Sequence, residues 1–135
     1  MERFERLAEQ VGVLLNAEVE VQGGECLVKR TRAINISSQN KNFNCVLDHD
    51  ISFINLKEDG TALNQAEILL LPEEVALFTN ALQKHPISLP INYQQRVDIN
   101  PNIVCIYLSS EETPEDFATR LSAAFNVIEQ NALVK

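Results

Sequence analysis

Between residues 15 and 18 the spacing of apolar side chains changes from helical to strand-like, and that switch sets the fold class. Phe4, Leu7, Val11, Leu14 and Leu15 recur at steps of 3, 4, 3 and 1, which makes one apolar stripe on a helix. Glu2, Glu5, Arg6, Glu9 and Gln10 fall largely off that stripe. Ala17-Glu18-Val19-Glu20-Val21 then alternates with period two, as in a strand with Val19 and Val21 inward. Gly23-Gly24 supplies a turn, and Cys26 to Lys29 reads as the returning strand of a hairpin. A helix giving way to sheet within one short chain predicts an α+β protein.

The rest of the chain extends this pattern. Ala33 to Ser37 is a short strand and Ser38 to Asn42 a polar turn. Phe43 to Leu47 and Ile51 to Leu56 read as two strands around an Asp48-His49-Asp50 turn. Ala66 to Leu71 is apolar enough for a central strand. Pro72 opens a helix, with Glu73 and Glu74 against the positive end of its dipole and Pro86 as its stop. Ile87 to Ile91 and Ile103 to Leu108 read as strands on either side of a polar segment, Asn92 to Asn102. Thr113 as N-cap, Pro114 at N1 and Asp116 at N3 start the last helix. With no repeat or linker visible, residues 1–135 form one expected domain: an antiparallel or mixed sheet with about three helices mainly on one face.

Charge and cysteine usage exclude several functions. A net charge of −8 and a pI near 4.7 argue against a nucleic-acid partner, which needs a concentrated basic face. The short basic run Lys29-Arg30-Thr31-Arg32 is expected to be solvated charge at a strand edge, with anion binding as its alternative. No run approaches the ~18–20 apolar residues of a membrane span, and residues 1–6 show no apolar run or cleavage site, so no secretion signal is expected. A cytoplasmic protein without a membrane partner is the expectation. Cys26, Cys45 and Cys105 are odd in number and show no C-x-x-C spacing, which predicts buried free thiols. His49 is expected in a solvated turn, and His85 at a helix C-terminus, where the dipole accounts for it. The acidic segment Ser110 to Asp116 likewise has a reason in the helix start that it contains.

From Ala66 to Ile128 the chain resembles the LppY/LpqO family, a domain of unknown function typified by mycobacterial lipoproteins. The likeness is carried by Glu67-Ile68-Leu69-Leu70-Leu71-Pro72-Glu73-Glu74-Val75, by Ala81-Leu82, by Asn100-Pro101, and by Phe117-Ala118, Arg120-Leu121 and Ala123-Ala124-Phe125. The N-terminal half fits more loosely. The resemblance implies a Gly-Asp pair before the strand preceding the middle helix, then a His-Asn-His triplet, then a further His. Such imidazoles could hold a metal or transfer protons. The matching positions here are Glu67, Tyr93-Gln94-Gln95 and Tyr107. Tyr and Gln are poor ligands for transition metals, and Gln cannot act as a base.

The expectation is therefore a module without catalytic residues, metal or cofactor. Glu67, Tyr93, Gln95 and Tyr107 are its candidate ligand-binding residues, for a small molecule or a protein partner. An enzyme with a site rebuilt from Glu67, Tyr93 and Tyr107, with His49 or His85 in support, is one alternative. A structural subunit, most simply a homodimer, is another.

Overall fold

The computed structural model describes residues 2–38, 41–99 and 103–133, with side chains from 3–34, 44–99 and 103–129. Helix α1 spans Glu2–Leu15, followed by strands β1 (Glu18–Gln22), β2 (Glu25–Ser38), β3 (Lys41–Ile54) and β4 (Ala62–Leu70). A 3-10 turn at Pro72–Glu74 leads into α2 (Val75–Lys84). Strands β5 (Gln94–Ile99) and β6 (Val104–Glu112) precede α3 (Pro114–Leu133). The strands make one sheet in the order β1-β2-β3-β4-β6-β5, every neighbouring pair antiparallel. The fold is α+β, as expected.

Local chemistry explains the well-read elements. Gly23 and Gly24, at φ +54° and +81°, form the two-residue loop of the β1–β2 hairpin, where Gln22 pairs Glu25. Asn16 at φ 51° ends α1, and the Ala17 amide donates to the Gly12 carbonyl at 3.0 Å. Thr113 caps α3: its hydroxyl accepts the Asp116 amide at 3.3 Å. His85 closes α2, with its Nδ1 accepting the Ile87 amide at 3.0 Å.

The helices cover one face. Phe4, Leu7, Val11 and Leu15 of α1, Phe78 and Leu82 of α2, and Phe117, Leu121, Phe125 and Ile128 of α3 form one core with alternate strand residues. Those strand residues are Cys26 and Val28, Ile51 and Phe53, Ala66 and Ile68, and Ile106 and Leu108. They stand in register across four strands, because Val28 pairs Ile51, Ile51 pairs Ala66 and Ala66 pairs Leu108.

Several boundaries differ from expectation. Residues 48–50 are not a turn: β3 runs unbroken from Lys41 to Ile54, paired with β2 from Ser38↔Lys41 to Glu25↔Ile54. Asp48 and Asp50 point away from the core while His49 points into it, so two acids flank an inward residue as strand alternation allows. Asn55, at φ 58°, ends that strand before Leu56. Ile87 to Ile91 is not a strand, since prolines at 86 and 90 break it; the polar segment after it supplies β5. Val19 packs on the core, but Val21 lies near the free end of the outermost strand and stays exposed. Gln39-Asn40 of the expected polar turn, and Asn100-Pro101, lie outside the described residues.

The basic run is also not solvated strand-edge charge. Alternation turns Arg30 and Arg32 inward, beneath the helices. Arg30 donates through Nε to the Leu15 carbonyl at 2.8 Å, pairs with Glu129 at 2.9 Å, and stacks 4.2 Å from the Phe125 ring centre. Arg32 donates to both carboxylate oxygens of Glu74, at 2.6 and 2.8 Å.

Candidate functional site

The sheet face away from the helices carries a groove of about 870 Å³, lined by polar side chains and by apolar ones such as Leu27 and Leu108. Its floor is a row set by strand register. Lys29 of β2 pairs Asp50 of β3, Asp50 pairs Glu67 of β4, Glu67 pairs Tyr107 of β6, and Tyr107 pairs Arg96 of β5. A second row, Leu27, Ser52, Gln65, Ser109 and Gln94, runs beside it.

Two features distinguish this floor from ordinary solvated sheet. Asp50 and Glu67 are like charges directly opposite each other, an arrangement that destabilises a sheet. Among the described residues neither forms an ion pair. The second feature is a set of contacts that fixes the far wall. The Arg96 guanidinium lies 4.1 Å from the Tyr107 ring centre, and the Cys105 thiol lies 3.8 Å from Glu67 Oε1. The hydrogen bond with Cys105 pushes the Tyr107 phenol up, and desolvation pushes the Cys105 thiol up. Both groups therefore keep their protons at neutral pH.

The four sequence-derived candidates divide between the two faces. Glu67 and Tyr107 are neighbours in the groove. Tyr93 packs against the core on the helix side, and its hydroxyl donates to Gln95 Oε1 at 2.8 Å. Gln95 pairs the buried Leu108 and borders the groove, but that bond holds its side-chain carbonyl. Burial pushes the Tyr93 phenol up to about 12. Nearby, Arg120 is 1% exposed and pairs with Glu112, with a 3.0 Å bond from Nη1; the Ser110 hydroxyl adds a 2.5 Å bond to that carboxylate. The charges of that pair act on the Tyr93 phenol, which is not among the residues lining the groove, whereas Tyr107 is. The residues that accompany Glu67 and Tyr107 are Asp50, Lys29 and Arg96. Lys29 belongs to the basic run and Asp50 to the Asp48-His49-Asp50 segment, but register alone assembles them with Arg96 into the row.

His49 has no route to the groove. It is fully buried, its ring centre 5.0 Å from that of Phe125, and its Nδ1 accepts the Leu69 amide at 3.1 Å. That bond assigns the imidazole proton to Nε2, which has no partner among the described residues. Burial first, then the positive charges of Arg32 and Arg30, push its pKa down from 6.5 to about 3. Unfolded chain takes up this proton below pH 6.5 and folded chain does not until about pH 3, so stability falls as pH drops through that window. The slope is about 1.4 kcal/mol per pH unit well below the unfolded value. His49→Gln, which can still accept the Leu69 amide, is expected to lose about 1.6 kcal/mol of the destabilisation between pH 6.5 and 5. Urea unfolding at both pH values measures it, and an unchanged slope in the variant refutes the assignment.

Among the described residues no three His, Cys, Asp or Glu side chains are grouped to hold a metal ion. No described helix is long and apolar enough to cross a membrane. Fold and site together define an α+β domain with one helix-covered sheet face and one polar, grooved face. The chain belongs to the family described as "Domain of Unknown Function (DUF1259)", whose model matches residues 9–127. No curated protein and no solved structure matches the chain.

Proposed function

We propose that this chain is a non-catalytic binding module of LppY/LpqO type whose groove holds a small molecule bearing a protonated amine. The observation that carries the reading is the facing pair Asp50 and Glu67, two carboxylates of which neither is in an ion pair among the described residues, although Lys29 stands opposite Asp50 on its other side. An ammonium group between them relieves their repulsion and supplies donors to both. Lys29 and Arg96 flank the pair and suit an acidic or hydroxyl group elsewhere on the same ligand. Two carboxylates are too few for a closed metal site, and the imidazoles that the family resemblance leads one to expect are Tyr93, Gln95 and Tyr107 here.

Titration of ¹⁵N-labelled protein with a panel of small amines, diamines and amino sugars is expected to move the amides of Asp50 and Glu67. Glu67→Gln should weaken that binding about tenfold, or ~1.4 kcal/mol. A panel that leaves those amides unmoved sinks the ligand assignment. One stoichiometric transition metal in the purified protein sinks the non-catalytic reading.

A further inference from the structure

Strand β5 ends the sheet, and all six of its residues are exposed. One edge pairs with β6; the other has no strand beside it among the described residues. Unpaired edges are templates for further strands, and natural proteins commonly blunt them with charge. Repeated charge of one sign would repel a second copy. β5 instead carries Arg96 and Asp98 on its groove face, one on each side of Val97. Their contact within the chain is loose, at 3.8 Å, with both side chains more than half exposed. On the other face Val97 is 37% and Ile99 80% exposed.

We propose that β5 is a homodimer interface in which two copies pair edge to edge, antiparallel, about a two-fold axis through Val97. An isologous contact must be self-complementary, and this segment is. With Val97 opposite the partner's Val97, Arg96 falls opposite the partner's Asp98, and Asp98 opposite the partner's Arg96. A shift of one residue flips the faces and loses both charge pairs. The register is therefore specified by the strand's own residues. Backbone hydrogen bonds supply cohesion and the side chains supply specificity, as in other strand additions. The result is a continuous twelve-stranded sheet with the two polar grooves on either side of the seam. The pairing does not depend on the identity of the groove's ligand, although Arg96, stacked on Tyr107, belongs to both the groove and the seam.

The test uses charge exchange and native mass. Wild-type protein is expected at twice the 15.2 kDa chain mass by light scattering at NMR concentrations. Arg96→Asp and Asp98→Arg each place like charges across the seam and should run as monomers, with circular dichroism unchanged because both positions are exposed. Combining the two substitutions in one chain should restore the dimer. Mixing the two single variants should also give a dimer, since opposite charges then meet at both positions; a pair acting only within one chain predicts no such rescue. A monomeric wild type, dimeric single variants, or a mixture that stays monomeric each overturns the proposal.

Discussion

Glu74→Ala is expected to cost the fold about 3–5 kcal/mol, because it strands a buried guanidinium. Glu74 takes both hydrogen bonds from Arg32, and neither side chain is more than 10% exposed. The same carboxylate accepts the Leu71 amide at 2.9 Å, so it also closes the turn that starts α2. Its loss leaves one charge and one amide without a partner, and each is expensive to bury. Replacing both partners, Arg32→Met with Glu74→Met, is expected to recover most of the loss, since matched apolar groups of similar size can substitute for a buried pair. Urea unfolding of the three variants measures this. A single-variant loss below about 1 kcal/mol would show that the pair is better hydrated than its burial indicates.

Phe125→Ala should be comparably damaging for a different reason. Its ring is 1% exposed and sits between Phe78, at 5.5 Å between ring centres, and His49, at 5.0 Å, with the Arg30 guanidinium against it. Truncation removes apolar contact, opens a cavity, and leaves Arg30 and His49 facing a void in place of a ring. Substitutions of this kind cost about 3–5 kcal/mol. Phe125→Leu keeps much of the volume and should cost less, about 1.5 kcal/mol or under if the neighbours repack. Chemical denaturation orders the two. An equal loss for both would place the ring's contribution in its aromatic contacts, not its volume.

Helices and tight turns were the most legible parts of this sequence, because their signals are local. The α1 stripe, Gly23-Gly24, Pro72 and Thr113-Pro114 each act within a few residues of where they stand. In two segments local chemistry points the wrong way. Asp48-His49-Asp50 has the composition of a turn, yet Leu47, His49, Ile51 and Phe53 form an unbroken period-two series on the buried side. Ile87 to Ile91 has the composition of a strand, yet its prolines exclude it. Half of the candidate site was readable and half was not. Glu67 and Tyr107 are far apart in sequence and are register partners in the sheet. Asp50, Lys29 and Arg96 join them only once β2, β3, β5 and β6 are aligned, and no local pattern encodes that alignment. Tyr93 and Gln95 have the parity of the helix-covered face, a distinction that required knowing where β5 begins.

The alternation along β3, β4 and β6 has an evolutionary consequence. In each strand, one set of residues builds the core and the intervening set lines the groove, so neighbours in sequence are subject to separate selection. Ile51, Ala66 and Leu108 can stay fixed by packing while Asp50, Glu67 and Tyr107 are exchanged without opening a void in the core. A family built on this sheet can change what its open face recognises, by substitution at alternate positions, while inheriting the same fold.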